Sequence, residues 1–161
     1  MDMHLISRAV AELGECLRVE NNVLATAESC TGGLLASTLT DTPGSSEWFA
    51  GSVVAYSNEV KAGLLGVPRE VLDEHGAVSE PVVRAMAEGV LKAVGAQVSV
   101  AISGIAGPGG GTPEKPVGTV WMAWAWPGGS RARRYDFSGT RTQVKEQSVM
   151  TAVNGLLGVV R

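Results

Sequence analysis

Cysteine and long apolar runs are both scarce in this sequence. The two cysteines, Cys16 and Cys30, cannot form a disulfide framework or a zinc site, since both need more ligands or closer spacing. No stretch approaches the ~18 to 20 apolar residues that cross a bilayer, and the N-terminus lacks a basic start followed by an apolar segment. These absences predict a soluble, cytoplasmic protein in a reducing compartment, with no membrane partner.

An excess of basic residues is also absent. The chain has 13 Lys and Arg against 16 Asp and Glu, which gives a formal net charge of −3. A nucleic-acid-binding protein normally needs a basic field to neutralise phosphates, so the charge balance argues against a nucleic-acid partner. With 161 residues, of which 45% are hydrophobic, the chain is long enough for one domain with a core.

Helical and extended patterns alternate along the chain. Apolar residues recur at steps of three and four over residues 3–20 and in SEPVVRAMAEGVLKAV, where Ser79 is the expected cap, and a last helix is expected from about Thr142 to Val160. Buried strands are predicted for the short apolar runs in NNVLATAES, FAGSVVAYS and AQVSVAISG. The segments VGTVWMAWAW and RARRYDFSG, on either side of the turn PGGS, predict a β-hairpin.

This alternation predicts an α/β fold: a single three-layer α/β/α domain with a mixed sheet, covering residues 1–161. In open sheets of this kind, ligands bind beyond the carboxyl ends of the parallel strands. The turns that follow the three predicted strands are AESCTGG, AYSNEVK and SGIAGPGGGT. If those strands are parallel neighbours, the three turns share one edge of the sheet.

The first turn, AESCTGG, places Ser29 between a strand and a segment with helical character. Backbone N–H groups at a helix start stabilise negative charge and can serve as an oxyanion hole for a serine nucleophile. The alternative is that Ser29 only caps the helix and that Gly32 and Gly33 relieve crowding. Cys30 is interpreted as a small buried residue, because no histidine lies on a matching turn.

A serine nucleophile needs a base, and neither histidine is well placed to supply it. His4 lies in the first helix and His75 at a helix end that looks exposed, which argues against a Ser-His-Asp triad. The second turn offers Tyr56 and, in the first turn of a helix with Asn58 as its expected cap, Lys61. To act as a base, lysine needs a pKa near 7 or 8 in place of the usual value of about 10.4. This shift corresponds to a free energy of roughly 3 to 5 kcal/mol, most of which burial must supply. The alternative is a solvated Lys61 and a core Tyr56.

Phosphate binding is only weakly indicated. The glycine-rich third turn lacks the Gly-Lys-Ser/Thr ending of a phosphate loop and the strand-then-helix setting of a dinucleotide fingerprint. Arg141, just before the last helix, has the guanidinium fork that binds phosphate, although most arginines in such places are solvated.

Three tryptophans, Trp121, Trp124 and Trp126, lie in one predicted strand, where Trp124 and Trp126 share a face. This concentration suggests a face covered by a second copy of the chain, so a homo-oligomer is expected. Packing within the core is the alternative explanation.

Four blocks of sequence together resemble the C-terminal domain of the competence/damage-inducible CinA family. They are TAESCTGGLLASTLTDTPGSSEWF, VVAYSNEVKAGLLGV, HGAVSEPVVRAMAEG and SGIAGPGGGTPEKPVGTVW, which span residues 26–121 in that order. The family includes stand-alone proteins that hydrolyse the amide of nicotinamide mononucleotide, giving nicotinic acid mononucleotide and ammonia. Longer relatives carry an N-terminal domain with nucleotide pyrophosphatase activity, which is not expected in this chain.

The resemblance implies a serine amidohydrolase with a small-molecule nucleotide substrate and with no cofactor or metal. In that reading Ser29 is the nucleophile, Lys61 takes its proton, and Tyr56 orients or relays that proton; the roles of Tyr56 and Lys61 are interchangeable. Glu28 is expected to favour the cationic ring and Arg141 to hold the phosphate. Further substrate contacts are expected at Thr31, Gly32, Gly33, Asn58, Ser103 and Gly104.

The chain departs from the family at Gly51-Ser52, where relatives often have paired glycines, and this pair touches no proposed catalytic group. Two other functions stay open: a non-catalytic nucleotide-binding or partner-docking domain, in which Lys61 keeps its charge, and an amidase for another nucleotide or a small amide. A DNA-associated role, which the family's name suggests, gains no support from the charge balance.

Overall fold

The computed structural model describes residues 1–161, which form six α-helices and five β-strands. The helices are α1 (Met3–Val19), α2 (Leu34–Thr40), α3 (Asn58–Leu65), α4 (Arg69–His75), α5 (Glu80–Val94) and α6 (Arg141–Val160). The strands are β1 (Leu24–Glu28), β2 (Phe49–Val54), β3 (Val98–Gly104), β4 (Thr119–Trp126) and β5 (Gly129–Asp136). No helix has both the length and the hydropathy that a membrane span requires.

The five strands form one mixed sheet in the order β2-β1-β3-β4-β5. Strand β1 is parallel to both of its neighbours, and Glu28 at its carboxyl end pairs with Val54 on one side and with Ile102 on the other. Strands β4 and β5 form the expected antiparallel hairpin and extend the sheet beyond β3. The carboxyl ends of the three parallel strands therefore lie level at one edge.

Helices cover both faces of this sheet. Successive residues of a strand point to opposite faces: in β3, Val100 and Ile102 join an apolar cluster of 22 buried residues that includes α1 and α6. Ala101, between them, joins a second cluster of 14 buried residues that includes α5. The predicted three-layer α/β/α arrangement with a mixed sheet is confirmed.

Two helix starts differ by about one residue from those expected. The N-cap of α3 is Ser57, and Asn58 is the first residue of the helix, so the prediction that Asn58 is the cap was wrong. Serine and asparagine are nearly equal as caps, which is why the sequence does not distinguish them. Helix α6 starts at Arg141, behind a capping box formed by Thr140 and Gln143. Arg141 is thereby fixed in the first turn of a long helix.

The tryptophans of β4 differ in their surroundings. Trp124 is fully buried, packs against Gly155 of α6 and donates its indole N–H to the carbonyl of Ala152 at 3.1 Å. Trp121 and Trp126 are half-buried. Core packing accounts for Trp124, and association with a second copy stays a prediction.

Candidate active site

The turns after β1, β2 and β3 meet at one edge of the sheet, as the sequence predicted. A cavity of about 300 Å³ opens between them, beneath the start of α6. A wider groove, of about 550 Å³ beside Ser138 and Gln147, contains none of the predicted site residues. The predicted residues that line the smaller cavity are Ser29, Tyr56, Asn58, Lys61, Ser103, Gly104 and Arg141.

The hydroxyl of Ser29 and the amine of Lys61 are in direct contact in this cavity. Lys61 Nζ lies 3.0 Å from Ser29 Oγ, although the residues are 32 positions apart in the chain. The backbone N–H of Ser29 donates to the carbonyl of Ile102 at 2.9 Å, which ties the turn after β1 to the neighbouring strand. The position of Lys61 is set by the start of α3. Ser57 caps this helix, and Asn58 and Lys61 in its first turn line the cavity.

The amine of Lys61 is buried, since the residue is only 1% exposed. Burial lowers its pKa below the ordinary value of 10.5, because the charged form loses its hydration. No carboxylate forms an ion pair with it. A lysine in this setting can give up its proton and accept one from the neighbouring hydroxyl. The alternative interpretation, in which Lys61 is exposed to solvent, is excluded.

Tyr56 reaches the site with its backbone. Its carbonyl oxygen accepts a hydrogen bond from Lys61 Nζ at 2.9 Å and a longer one, at 3.5 Å, from the hydroxyl of Ser29. The phenol extends outward, with the residue 64% exposed, so Tyr56 is not a core residue. Its hydroxyl contacts Arg141, whose Nη2 donates to it at 3.3 Å, and makes no hydrogen bond with Ser29 or Lys61.

Glu28 does not line the cavity, contrary to expectation. Its carboxylate is fully buried and accepts hydrogen bonds from four groups at the start of α2 and on β2. These donors are the Thr31 hydroxyl at 2.7 Å, the N–H groups of Leu35 and Ala36 at 2.9 Å each, and the Ser52 hydroxyl at 3.3 Å. Glu28 therefore stabilises the start of α2, and a cationic ring cannot reach it.

Ser29 does not lie at the start of α2, because a turn separates them. Gly32 and Gly33 adopt left-handed conformations, with φ of 59° and 99°, and α2 begins only at Leu34. Neither glycine lines the cavity, and Thr31 is buried with its hydroxyl on Glu28, so the substrate contacts expected at these three residues are not found. The N–H of Cys30, next to Ser29, donates to no other residue, and Cys30 lines the cavity.

The third turn and α6 supply the opposite wall of the cavity. Ser103 and Gly104, where substrate contacts are expected, line it at the end of β3. A Cβ at Gly104 would overlap Val120 and the carbonyl of Thr119, so close packing against β4 explains this glycine. Arg141 reaches across from α6, and its Nη1 donates to the carbonyl of Gly107 at 2.7 Å.

Cys30 lines the cavity as a protonated thiol. Burial raises its pKa to about 11, so almost none of the reactive thiolate is present near neutral pH. The interpretation of Cys30 as a small buried residue is confirmed. His4 and His75 do not line the cavity, and no cluster of three or more His, Cys, Asp or Glu side chains is arranged to hold a metal ion.

Some residues at the site were not singled out from the sequence. Ala77 and Val78, which connect α4 to α5, form an apolar part of the wall and carry no sequence signal for that position. Ser52, which was named from the sequence, does not line the cavity and donates to the buried Glu28 instead.

The sequence matches the family model for the CinA C-terminal domain over residues 7–160. The nicotinamide-nucleotide amidohydrolase PncC of Pseudomonas putida is 50% identical over 157 residues, which cover 96% of this chain and 97% of that protein. PncC of Escherichia coli K12 is 52% identical over 146 residues, or 90% of this chain and 88% of that protein.

The remaining similarities agree with this match. A CinA-like protein of Akkermansia muciniphila is 55% identical over 138 residues, and this chain spans about a third of that protein's length, 33%. The crystal structure of the competence damage-inducible protein A from Klebsiella pneumoniae superposes with a TM-score of 0.93 at 37% identity, covering 96% of each chain. The family model, the relatives and the solved structure each match most of the length of this chain. The chain therefore belongs to the CinA C-terminal domain family.

Proposed function

We propose that this protein hydrolyses the carboxamide of nicotinamide mononucleotide to nicotinic acid mononucleotide and ammonia. The observation that carries the proposal is the contact of 3.0 Å between Ser29 Oγ and the buried amine of Lys61, whose pKa is lowered by burial. The substrate is inferred from the relatives named nicotinamide-nucleotide amidohydrolase, which match this chain over nearly their whole length.

In the first half of the reaction, neutral Lys61 takes the proton of the Ser29 hydroxyl while Oγ attacks the carboxamide carbon. The carbonyl oxygen becomes an oxyanion, and the free N–H of Cys30 is the donor that stabilises it. Lys61 then gives its proton to the amide nitrogen. The C–N bond breaks, ammonia leaves, and the nicotinoyl group stays on Ser29 as an ester.

In the second half, water attacks the ester carbon and gives a proton to Lys61. The ester bond to Ser29 breaks, Oγ regains the proton from Lys61, and nicotinic acid mononucleotide is released. The carbonyl of Tyr56, which accepts a hydrogen bond from Lys61 Nζ at 2.9 Å, keeps the amine beside Ser29 through both halves. The reaction needs no group beyond the substrate, water and these residues.

Arg141 is the phosphate-binding residue in this proposal. It lines the cavity and forms no ion pair with a carboxylate, so its charge is available to an anion. Ser103, Gly104 and Asn58 line the same cavity as Arg141 and the Ser29–Lys61 pair. They are the residues that contact the ring and ribose.

Release of ammonia from nicotinamide mononucleotide by the purified protein tests the proposal. Ser29→Ala is expected to abolish turnover, and Cys30→Ala to retain it, because the thiol is protonated and only the backbone N–H of residue 30 takes part. Unchanged activity of Ser29→Ala would overturn the mechanism. If the wild type binds the mononucleotide and releases no ammonia, the protein is the non-catalytic binding domain instead.

A further inference from the structure

Tyr56 has two separate contacts at the site, and they belong to different ends of the cavity. Its backbone carbonyl serves Ser29 and Lys61, whereas its hydroxyl lies on the exposed side and accepts a hydrogen bond from Arg141 Nη2 at 3.3 Å. The carbonyl is present in any residue at position 56. Only the hydroxyl requires tyrosine, so the choice of this residue type concerns Arg141.

Arg141 is held by two turns at once. Its Nη1 donates to the carbonyl of Gly107 after β3, and its Nη2 donates to the Tyr56 hydroxyl after β2. A guanidinium has no acceptor, so the hydroxyl of Tyr56 must be the acceptor in this contact, and its own O–H does not point to Arg141. That O–H proton and the remaining N–H groups of Arg141 are donors without carboxylate partners. Together they suit an anion with several acceptor oxygens.

We infer that the hydroxyl of Tyr56 is a positioning residue for phosphate recognition: it holds Arg141 in place, and thereby makes the site selective for a phosphorylated ligand over its dephosphorylated form. The inference rests on the function proposed above and assigns the hydroxyl no part in proton transfer. An arginine on an exposed helix start otherwise loses considerable side-chain entropy when it binds an anion. Anchoring it before the ligand arrives reduces that loss.

Proton transfer does not need the phenol. Lys61 Nζ already lies 3.0 Å from Ser29 Oγ, and the Tyr56 hydroxyl forms its hydrogen bond with Arg141 and none with either of these groups. A phenol that relays protons and a phenol that anchors Arg141 predict different effects of Tyr56→Phe, a variant that keeps the carbonyl and removes only the hydroxyl. Loss of a relay lowers kcat for every substrate, whereas loss of an anchor raises KM for the phosphorylated substrate alone.

The test compares the full-length wild type with Tyr56→Phe, Arg141→Met and the double variant. Tyr56→Phe is expected to raise KM for nicotinamide mononucleotide roughly three- to ten-fold, the loss of about one hydrogen bond, without changing kcat or its pH profile. In the Arg141→Met background it should have no further effect, because it acts through that side chain. The KM for nicotinamide riboside, which has no phosphate, should not change. Tyr135→Phe is the matched control, since the Tyr135 ring stacks on Phe137 outside the cavity.

A fall in kcat for Tyr56→Phe, a shifted pH profile, or an equal rise in KM in both backgrounds would overturn the inference. If the wild type released no ammonia, the proposed function would fail and this inference would still be testable. Calorimetry would then compare the Kd of nicotinamide mononucleotide in the same four proteins. The same non-additive pattern in Kd supports the inference, and an additive pattern or none overturns it.

Discussion

Lys61 is a buried amine without a carboxylate partner, placed beside the hydroxyl it is proposed to deprotonate. Methionine keeps the apolar stem and removes the base, so we expect Lys61→Met to lower kcat for nicotinamide mononucleotide by about 10²- to 10⁴-fold. The free energy of unfolding should not fall, because the variant removes a poorly solvated amine. Ammonia release and urea unfolding of the same sample measure both effects. Normal turnover by folded Lys61→Met would show that another group is the base.

The lowered pKa of Lys61 also gives activity and stability a pH dependence of definite sign. In the proposed mechanism the neutral amine is the base, so kcat should rise with pH through that pKa. Between the lowered pKa and 10.5 the unfolded state binds more protons than the folded state, so the free energy of unfolding rises with pH in this interval. The wild type should therefore gain stability relative to Lys61→Met as pH increases. Urea unfolding of both proteins over one pH series checks this, and a constant difference would contradict it.

The turn between β1 and α2 is held by one carboxylate, that of Glu28, with four hydrogen-bond donors. Glu28→Gln replaces one acceptor oxygen with a donor group that faces other donors, so we expect a loss of about 1 to 3 kcal/mol in stability. Because Ser29 follows directly, kcat should fall as well. Ser52→Ala removes only the contact at 3.3 Å and should cost less than about 1 kcal/mol. Equal losses in the two variants, measured by urea unfolding, would contradict this assignment.

The sequence predicted this strand, turn and helix but not the role of Glu28. The apolar run and the two glycines indicate where the chain leaves the sheet, and the structure agrees. The distance from Ser29 to the helix start depends on two left-handed glycines in succession, Gly32 and Gly33, which the sequence pattern does not fix. The direction of Glu28 follows from strand alternation: it shares a face with Leu24, on the side of α2. Applied to Glu28, that alternation would have placed its carboxylate under the helix.

The topology of the whole sheet explains why the location of this site could be predicted from the sequence. Parallel strands joined by helical crossovers bring their carboxyl ends to one edge, so the meeting of the three turns was predictable. Contacts between side chains of different turns were not, because they depend on how the helices pack. The contact of Lys61 with Ser29 depends on the position of α3 against α5. The direction of the Tyr56 phenol depends on the irregular chain after β2.

Gly89 of α5 controls the spacing between α5 and α3, the helix that carries Lys61. A Cβ at Gly89 would overlap the backbone carbonyl of Leu65, which cannot rotate aside, so α3 must shift. We expect Gly89→Ala to cost about 1 to 3 kcal/mol in stability and to lower kcat, because Lys61 moves away from Ser29. Gly63→Ala is the matched control within α3: its Cβ meets nothing within 4 Å, so it should gain up to about 1 kcal/mol and retain activity. Urea unfolding and ammonia release measure both variants. Full activity in a destabilised Gly89→Ala protein would mean that this spacing does not position the base.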